Sequence, residues 1–522
     1  MPDRVLPQGI RIKPSNTVSA EPQLAGRDSP ASTEPAESAG EEKRAGKALL
    51  WKGVQMGVSK VLYLVGALVL GHLLAPKEFG LVAIATVAVT TVMAATETGM
   101  ANALVQASER EQAHYDVAWT VGFLRGLLVC GVLVIAAPLI SELFGDARAV
   151  SLVRVMAFVP LVASMASPRQ ADLIRELKFA SLAAIALAAA IVDTGVAISL
   201  AMSMGGMAIA LGKLAGAATT MIASYVAAPH RPRFRPSYSS ATSLIRFGRW
   251  MFAIAITAVT SDLLLKVLIA RRLSVADLGA FSMSDKLGET ANQAAMETIG
   301  GVAFPLYARL RDQPERMRVI FRAHLTGLML VLLPATALLI ALALPLQERI
   351  LGVRWAGTSE LIALLSLGYL LEFIFSAIYF LLQGVGQGGR LYAVELTQYI
   401  VLVALIGLLS GPFGLRGVGA ARIITAVVVV VAGLIAISPQ LRRVALQIIR
   451  PGLLLAVLAA LAGIAARAST SFVPGTVGVV VGGTVGVGAF LGLAWFADQP
   501  LRLGLRDSLS LFFPILAGSK GA

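Results

Sequence analysis

The chain reads as an all-α polytopic membrane protein, and three observations predict it. Apolar runs long enough to cross a hydrocarbon core of roughly 30 Å as helix recur from about residue 51 almost to the C-terminus. Only 14% of the 522 residues are charged and 57% are hydrophobic, whereas soluble domains carry about a quarter charged residues. The alternating short segments of a membrane barrel are missing, because Leu, Ala, Val and Ile cover both faces of every run.

Taken in order, residues 1–46 are rich in Pro, Ser, Ala and Glu without apolar periodicity, which predicts a disordered cytoplasmic tail. No apolar core follows closely behind a basic N-terminus, so no signal peptide is expected. Six spans are expected at about 51–74, 79–104, 117–143, 149–166, 179–203 and 205–228. Six more fall at about 250–270, 279–307, 320–344, 358–382, 391–410 and 416–437, and a last pair at about 451–467 and 474–497. The expectation is therefore about 14 transmembrane helices. They divide into an N-lobe (47–228), a basic cytoplasmic linker (229–249), a C-lobe (250–440) and a C-terminal helix pair with a short tail (441–522).

The linker belongs to the stretch Pro229–Trp250, where Pro229, Pro232 and Pro236 interrupt helix and the arginines meet no acidic residue. The formal net charge is +14, from 44 Lys and Arg against 30 Asp and Glu. Such an excess suits a nucleic-acid partner in a soluble protein, but in a membrane protein basic residues accumulate in cytoplasmic loops. With the N-terminal tail inside, the interior loops hold the richer clusters, such as Arg309, Arg311, Arg316, Arg318 and Arg322, and both termini are expected in the cytoplasm.

The two six-span halves resemble each other. LLAPKEFGLVAI (73–84) aligns with RLSVADLGAFSM (272–283), matching Gly80 with Gly279. Glu97 then matches Glu297, and the last junctions of the halves match through Gly206 and Gly417. An even number of spans gives both halves one orientation. They are expected to be related by a pseudo-twofold axis along the membrane normal, with a substrate site between them.

With these segments in view, the chain resembles the oligosaccharide flippase (polysaccharide transporter, Wzx-like) family of the multidrug/oligosaccharidyl-lipid/polysaccharide exporter superfamily. The resemblance runs from about residue 50 to 440. It rests on LLAPKEFGLVAI, TGMANALVQ (98–106), SPRQADLIRELKF (167–179), VAFPLYARLRDQPERMR (302–318) and GPFGLRGVGAAR (411–422). The long N-terminal tail and the final helix pair depart from the commoner twelve-span pattern. The resemblance implies a transporter, not an enzyme, that moves an undecaprenyl-diphosphate-linked oligosaccharide across the bacterial inner membrane by alternating access. It implies no cofactor. Its partners would be the lipid-linked oligosaccharide, membrane lipids, and polysaccharide polymerase and export proteins.

Such a cargo needs cationic groups in a polar cavity, because a diphosphate cannot cross hydrocarbon unaided. Ionisable residues inside spans are costly and are the sharpest site candidates. Arg125, Lys213 and Lys266, with Arg422 behind them, are expected to contact the diphosphate. Asp193 and Glu372 are the candidates for ion coupling. Glu97 and Glu297 are a structural repeat pair, expected at the broken ends of two helices. Against these roles stand internal ion pairing and snorkelling, and Asp262 with Lys266, four residues apart, would pair on one helix.

The other motifs are bland. GVGQGG (384–389) is read as a tight turn, not a nucleotide loop. Cys130 lies inside an apolar run as packing, and His72, His114, His230 and His324 are too scattered for a metal site. A cation-coupled multidrug exporter of the same superfold is the alternative. A polysaccharide polymerase or glycosyltransferase is disfavoured, because the longest exterior loop, about 345–357, is too short for a catalytic domain.

Overall fold

The computed structural model describes residues 57–97, 104, 112–176, 178–234 and 249–501. The expected tail 1–46, most of TGMANALVQ and of the basic stretch, and the C-terminal tail lie outside the described residues. Among the described residues there is no strand. The helices are α1 (Gly57–Leu73), α2 (Pro76–Ala95), α3 (Gln112–Phe144), α4 (Ala149–Ser164), α5 (Phe179–Met204), α6 (Gly206–Ala227) and α7 (Arg249–Arg272). Next come α8, in the pieces Val275–Ala295, Met296–Gly300 and Gly301–Arg309, then α9 (Pro314–Leu346) and α10, which is Thr358–Leu371 bent by 41° onto Phe373–Gly384. Gly388–Ala436 holds two helices that meet at a non-helical Gly414, α11 (388–413) and α12 (415–436). α13 covers Pro439–Phe472 and α14 Gly475–Leu501.

Among the described residues nine helices have the length and apolarity to cross a membrane, with Gly388–Ala436 counted as one, or ten if the bent α10 is one span. The protein is thus an all-helical, multi-pass membrane protein. α8 is excluded from that set because Asp277, Asp285, Lys286, Glu289 and Glu297 are strung along it.

Local signals set the helix starts. Pro76 and Pro314 occupy first-turn positions where the missing N–H is harmless. Ser274 caps α8 by accepting from the Asp277 N–H, and Ser438 caps α13 by accepting from that of Leu441. Two breaks need glycine. Gly205, between α5 and α6, has φ 56° and ψ −134°, and Gly414, between α11 and α12, has φ 59° and ψ −140°. A β carbon is strained in that region of backbone space. The halves therefore turn the same corner with the same conformation, two residues out of register with the Gly206–Gly417 alignment.

The contact of α2 with α8 joins the halves. A β carbon on Gly80 would overlap the Val275 carbonyl oxygen, and one on Gly279 would overlap that of Pro76. The alignment that matches Gly80 with Gly279 also matches Pro76 with Val275, so the contact is reciprocal. Around it, the Trp355 indole N–H donates to the Gly71 carbonyl at 2.7 Å, and a His72 ring nitrogen to that of Ile350 at 2.7 Å. Arg271 donates to the carbonyls of Glu142 and Leu143. One buried apolar cluster runs through this end of the bundle, from Leu81 and Leu133 to Leu278 and Leu361. A second fills the later half and takes in α13 and α14, with Gly463 of α13 seated against Ala337 and Ala341 of α9.

Candidate functional site

Two polar cavities lie among the helices. The smaller, about 270 Å³, is walled by α1, α2, α5, α6, α7 and α8, so both halves contribute. It brings together Lys213 of α6, Lys266 of α7 and Lys286 of α8, with Asp193 of α5 as the carboxylate on its wall. Small residues create this arrangement. A β carbon on Gly212 would press on the Asp193 carbonyl oxygen, and one on Gly216 on its side chain, so α5 and α6 come close enough to set Lys213 Nζ 3.8 Å from Asp193. Three lysines therefore line the cavity beside one carboxylate, with Lys213 facing Asp193 and Lys266 paired to Asp262 of its own helix.

The larger cavity, about 680 Å³, lies within the later half and has the opposite character. Asp262, Asp285, Glu289, Glu372 and Glu395 line it, with Arg422 and Lys266 as its cations. The Arg422 guanidinium donates to Glu372 at 2.9 Å and lies 4.4 Å from the Tyr369 ring centroid. Glu372 also accepts from the Gln398 amide at 3.1 Å, while the Tyr369 hydroxyl donates to Asp285 at 2.8 Å. Gly368 makes room for the guanidinium, because a β carbon there would collide with Arg422 Cγ. Buried charges persist when they are paired and hydrogen-bonded in this way. Lys266 lines both cavities and is held by Asp262, one turn earlier, at 2.8 Å.

The sequence-predicted residues thus divide. Lys213, Lys266 and Asp193 meet in the smaller cavity, and Arg422 and Glu372 in the larger. Arg125 lies on neither wall. It donates to Glu97 at 2.8 Å, to the Met93 carbonyl at 2.7 Å and to Thr96, and so closes the C-terminal end of α2. Glu97 stands just past that helix end, and Glu297 lies in the π-helical turn that breaks α8, 3.1 Å from Lys60. Asp285 and Lys286 are among the ionisable residues the sequence places inside spans but receive no role from it, and Tyr369 is not singled out. Lys286 sits between Asp285 and Glu289 in the chain and looks self-neutralised there. Adjacent helical positions, however, point about 100° apart, so Asp285 faces the larger cavity and Lys286 the smaller. Among the described residues no group of His, Cys, Asp or Glu is placed to hold a metal ion.

The chain is similar to known proteins in sequence and in fold. The chain is 26% identical over 340 residues to the succinoglycan biosynthesis transport protein ExoT of Rhizobium meliloti, covering 65% of this chain and 69% of that one. It is 22% identical over 370 residues to the lipopolysaccharide biosynthesis protein WzxC of Escherichia coli, covering 70% and 75%. Its fold is similar to the lipid II flippase MurJ in an inward closed conformation, with a TM-score of 0.65 at 14% identity over 87% of this chain and 100% of that one. An inward-facing MATE multidrug transporter of the MOP superfamily gives 0.56 at 15% identity over 74% and 97%. The polysaccharide biosynthesis protein family matches residues 69–360, more than half of the chain, and this bears out the resemblance drawn from the sequence: the chain belongs to that family.

Proposed function

We propose that the protein is a flippase that carries an undecaprenyl-diphosphate-linked oligosaccharide from the cytoplasmic to the outer face of a bacterial inner membrane. The observation that carries this reading is the lysine cavity, because its cations come from both halves: Lys213 from the first, Lys266 and Lys286 from the second. A diphosphate held there draws the halves onto itself and gives cargo a differential hold on the closed state, which alternating access requires. The reading includes fourteen crossings, both termini in the cytoplasm, and two six-helix lobes about a pseudo-twofold axis. The reciprocal Gly80–Gly279 contact and the matching corners at Gly205 and Gly414 support the axis. Arg125 then acts on α2 instead of on cargo. Asp193 and the Glu372–Arg422 pair are assigned to ion coupling. The oligosaccharide and membrane lipids are the partners, with polymerase and export proteins downstream.

The printed names of the relatives, a succinoglycan transport protein and a lipopolysaccharide biosynthesis protein, support the cargo class. The larger cavity favours a second reading, a cation-coupled drug exporter, because carboxylates with tyrosine rings suit a cationic guest. Substitution separates the two. Lys213→Gln or Lys286→Gln should cut export of the oligosaccharide about tenfold, the loss of one charge-assisted hydrogen bond, at unchanged membrane abundance. The assay is surface polysaccharide together with lipid-linked repeat units accumulated inside the cell. Normal export in both variants overturns the flippase site. Normal polysaccharide with cationic dye retained in cells lacking the gene establishes the second reading.

A further inference from the structure

A third polar cavity, about 890 Å³, lies outside both sites, where the loops after α8, α10 and α12 converge. Three arginines stand on its wall: Arg311 in the loop after α8, Arg390 in the first turn of α11 and Arg442 in the first turn of α13. Asp312 is the carboxylate beside them, and among the described residues none of the three arginines forms an ion pair. Two of them have a structural duty. Arg390 donates to the Ala436 carbonyl at 3.4 Å, and Arg442 to those of Leu434 and Ile435 at 2.7 and 3.3 Å, which caps the C-terminal end of α12. That duty leaves donors over, because a guanidinium carries five N–H groups. Arg311 is exposed and takes no part in the cap.

Apart from Gln387 and Ser438 the rest of the wall carries no polar side chain and includes Leu381, Leu382, Val385, Ala432 and Ile435. From Ile435 an exposed stripe continues along one face of α12 through Val431, Val427 and Ile424. The pocket is therefore amphipathic, a cationic mouth above an apolar track. The earlier half has an arginine-lined pocket of its own. Arg169, Arg231 and Arg233 line a pocket of about 590 Å³ beyond the end of α6. There His230 lies beside Asp116, and burial pushes its imidazole below the usual range.

We infer that the Arg311–Arg390–Arg442 pocket is a binding site for the phosphodiester headgroup of an anionic membrane phospholipid, whose acyl chain runs along α12. Guanidinium forks match phosphate oxygens, and basic pockets between spans at the cytoplasmic surface hold acidic headgroups. Three arginines against one aspartate also repel the ammonium of a zwitterionic headgroup, so the site selects charge as well as phosphate. The choice of leaflet rests on the orientation proposed above, and the headgroup preference does not.

The test uses the full-length protein purified in detergent, with thermal unfolding followed as lipid is titrated. Phosphatidylglycerol should stabilise the protein more than phosphatidylcholine at equal mole fraction. Arg311→Gln, which leaves the helix cap intact, should weaken the apparent affinity for phosphatidylglycerol about tenfold, as expected for one charge-assisted hydrogen bond. Arg443→Gln, an exposed neighbour that does not line the pocket, should leave that affinity unchanged. Equal stabilisation by both lipids overturns the inference, as does an undiminished response in Arg311→Gln or an equal loss in Arg443→Gln. Soluble glycerol 3-phosphate is the remaining arm. If it stabilises as well as the lipid does, the ligand is a free phosphate and the lipid assignment fails. None of these readouts depends on transport.

Discussion

Arg422 shows how much a single buried side chain can organise. Its guanidinium holds Glu372, faces the Tyr369 ring and stands in a gap that only Gly368 leaves open. Removing one partner of a buried pair strands the other charge at a cost of about 3–5 kcal/mol, whereas replacing both with apolar groups is often close to neutral. Arg422→Leu should accordingly lower the unfolding temperature sharply, and the Arg422→Leu/Glu372→Leu double variant should recover most of the loss. A single variant as stable as the native protein would show the pair to be solvated instead of buried. At this scale the sequence revealed which residues were ionisable inside spans and the local Asp262–Lys266 pair, and concealed the partners that come from other helices. Nothing in the chain around Arg125 announces that Glu97 and the end of α2 will claim it. Lys213 could be given a role because it sits well inside a span, while Lys286, also inside one, was given none.

Among the elements, α8 carries the most constraint. It touches the first half at Gly279, lines both cavities through Asp285 and Lys286, and breaks into a π-helical turn at Glu297. Such turns cluster at functional sites. Its crossing with α2 is a backbone contact, so Gly279→Ala should destabilise by about 1–3 kcal/mol, the cost of overpacking. Gly301→Ala, on the same helix with nothing within 4 Å of the added carbon, should stay within about 0.5 kcal/mol. Thermal unfolding of the two variants side by side checks the difference. Equal stabilities would mean that α2 and α8 part without cost. Most apolar ranges were legible from hydropathy alone. The bend inside α10 was not, because it is settled by what packs on the far side of the helix.

For the whole molecule, the open quantity is direction across the membrane. On the proposed orientation, the end bearing Arg231 lies in the cytoplasm and the end bearing Val353 outside. Both positions are exposed, and the native Cys130 is buried, so cysteine labelling reads the topology against a low background. In intact cells an impermeant thiol reagent should label Val353→Cys and spare Arg231→Cys, and the opposite pattern would invert the orientation. The repeat was legible at Gly80 and Gly279 because it is written in residue identity, whereas the kinship of Gly205 and Gly414 resides in backbone angles that the letters register only as glycine. The paired contact at Gly80 and Gly279 also bears on how the gene can change. Every single-base missense change of a glycine codon introduces a β carbon, and here each β carbon would strike the opposite helix's backbone. Neither position therefore has a neutral mutational neighbour, and a compensating change in the partner is blocked for the same reason, so the two codons are bound to persist together.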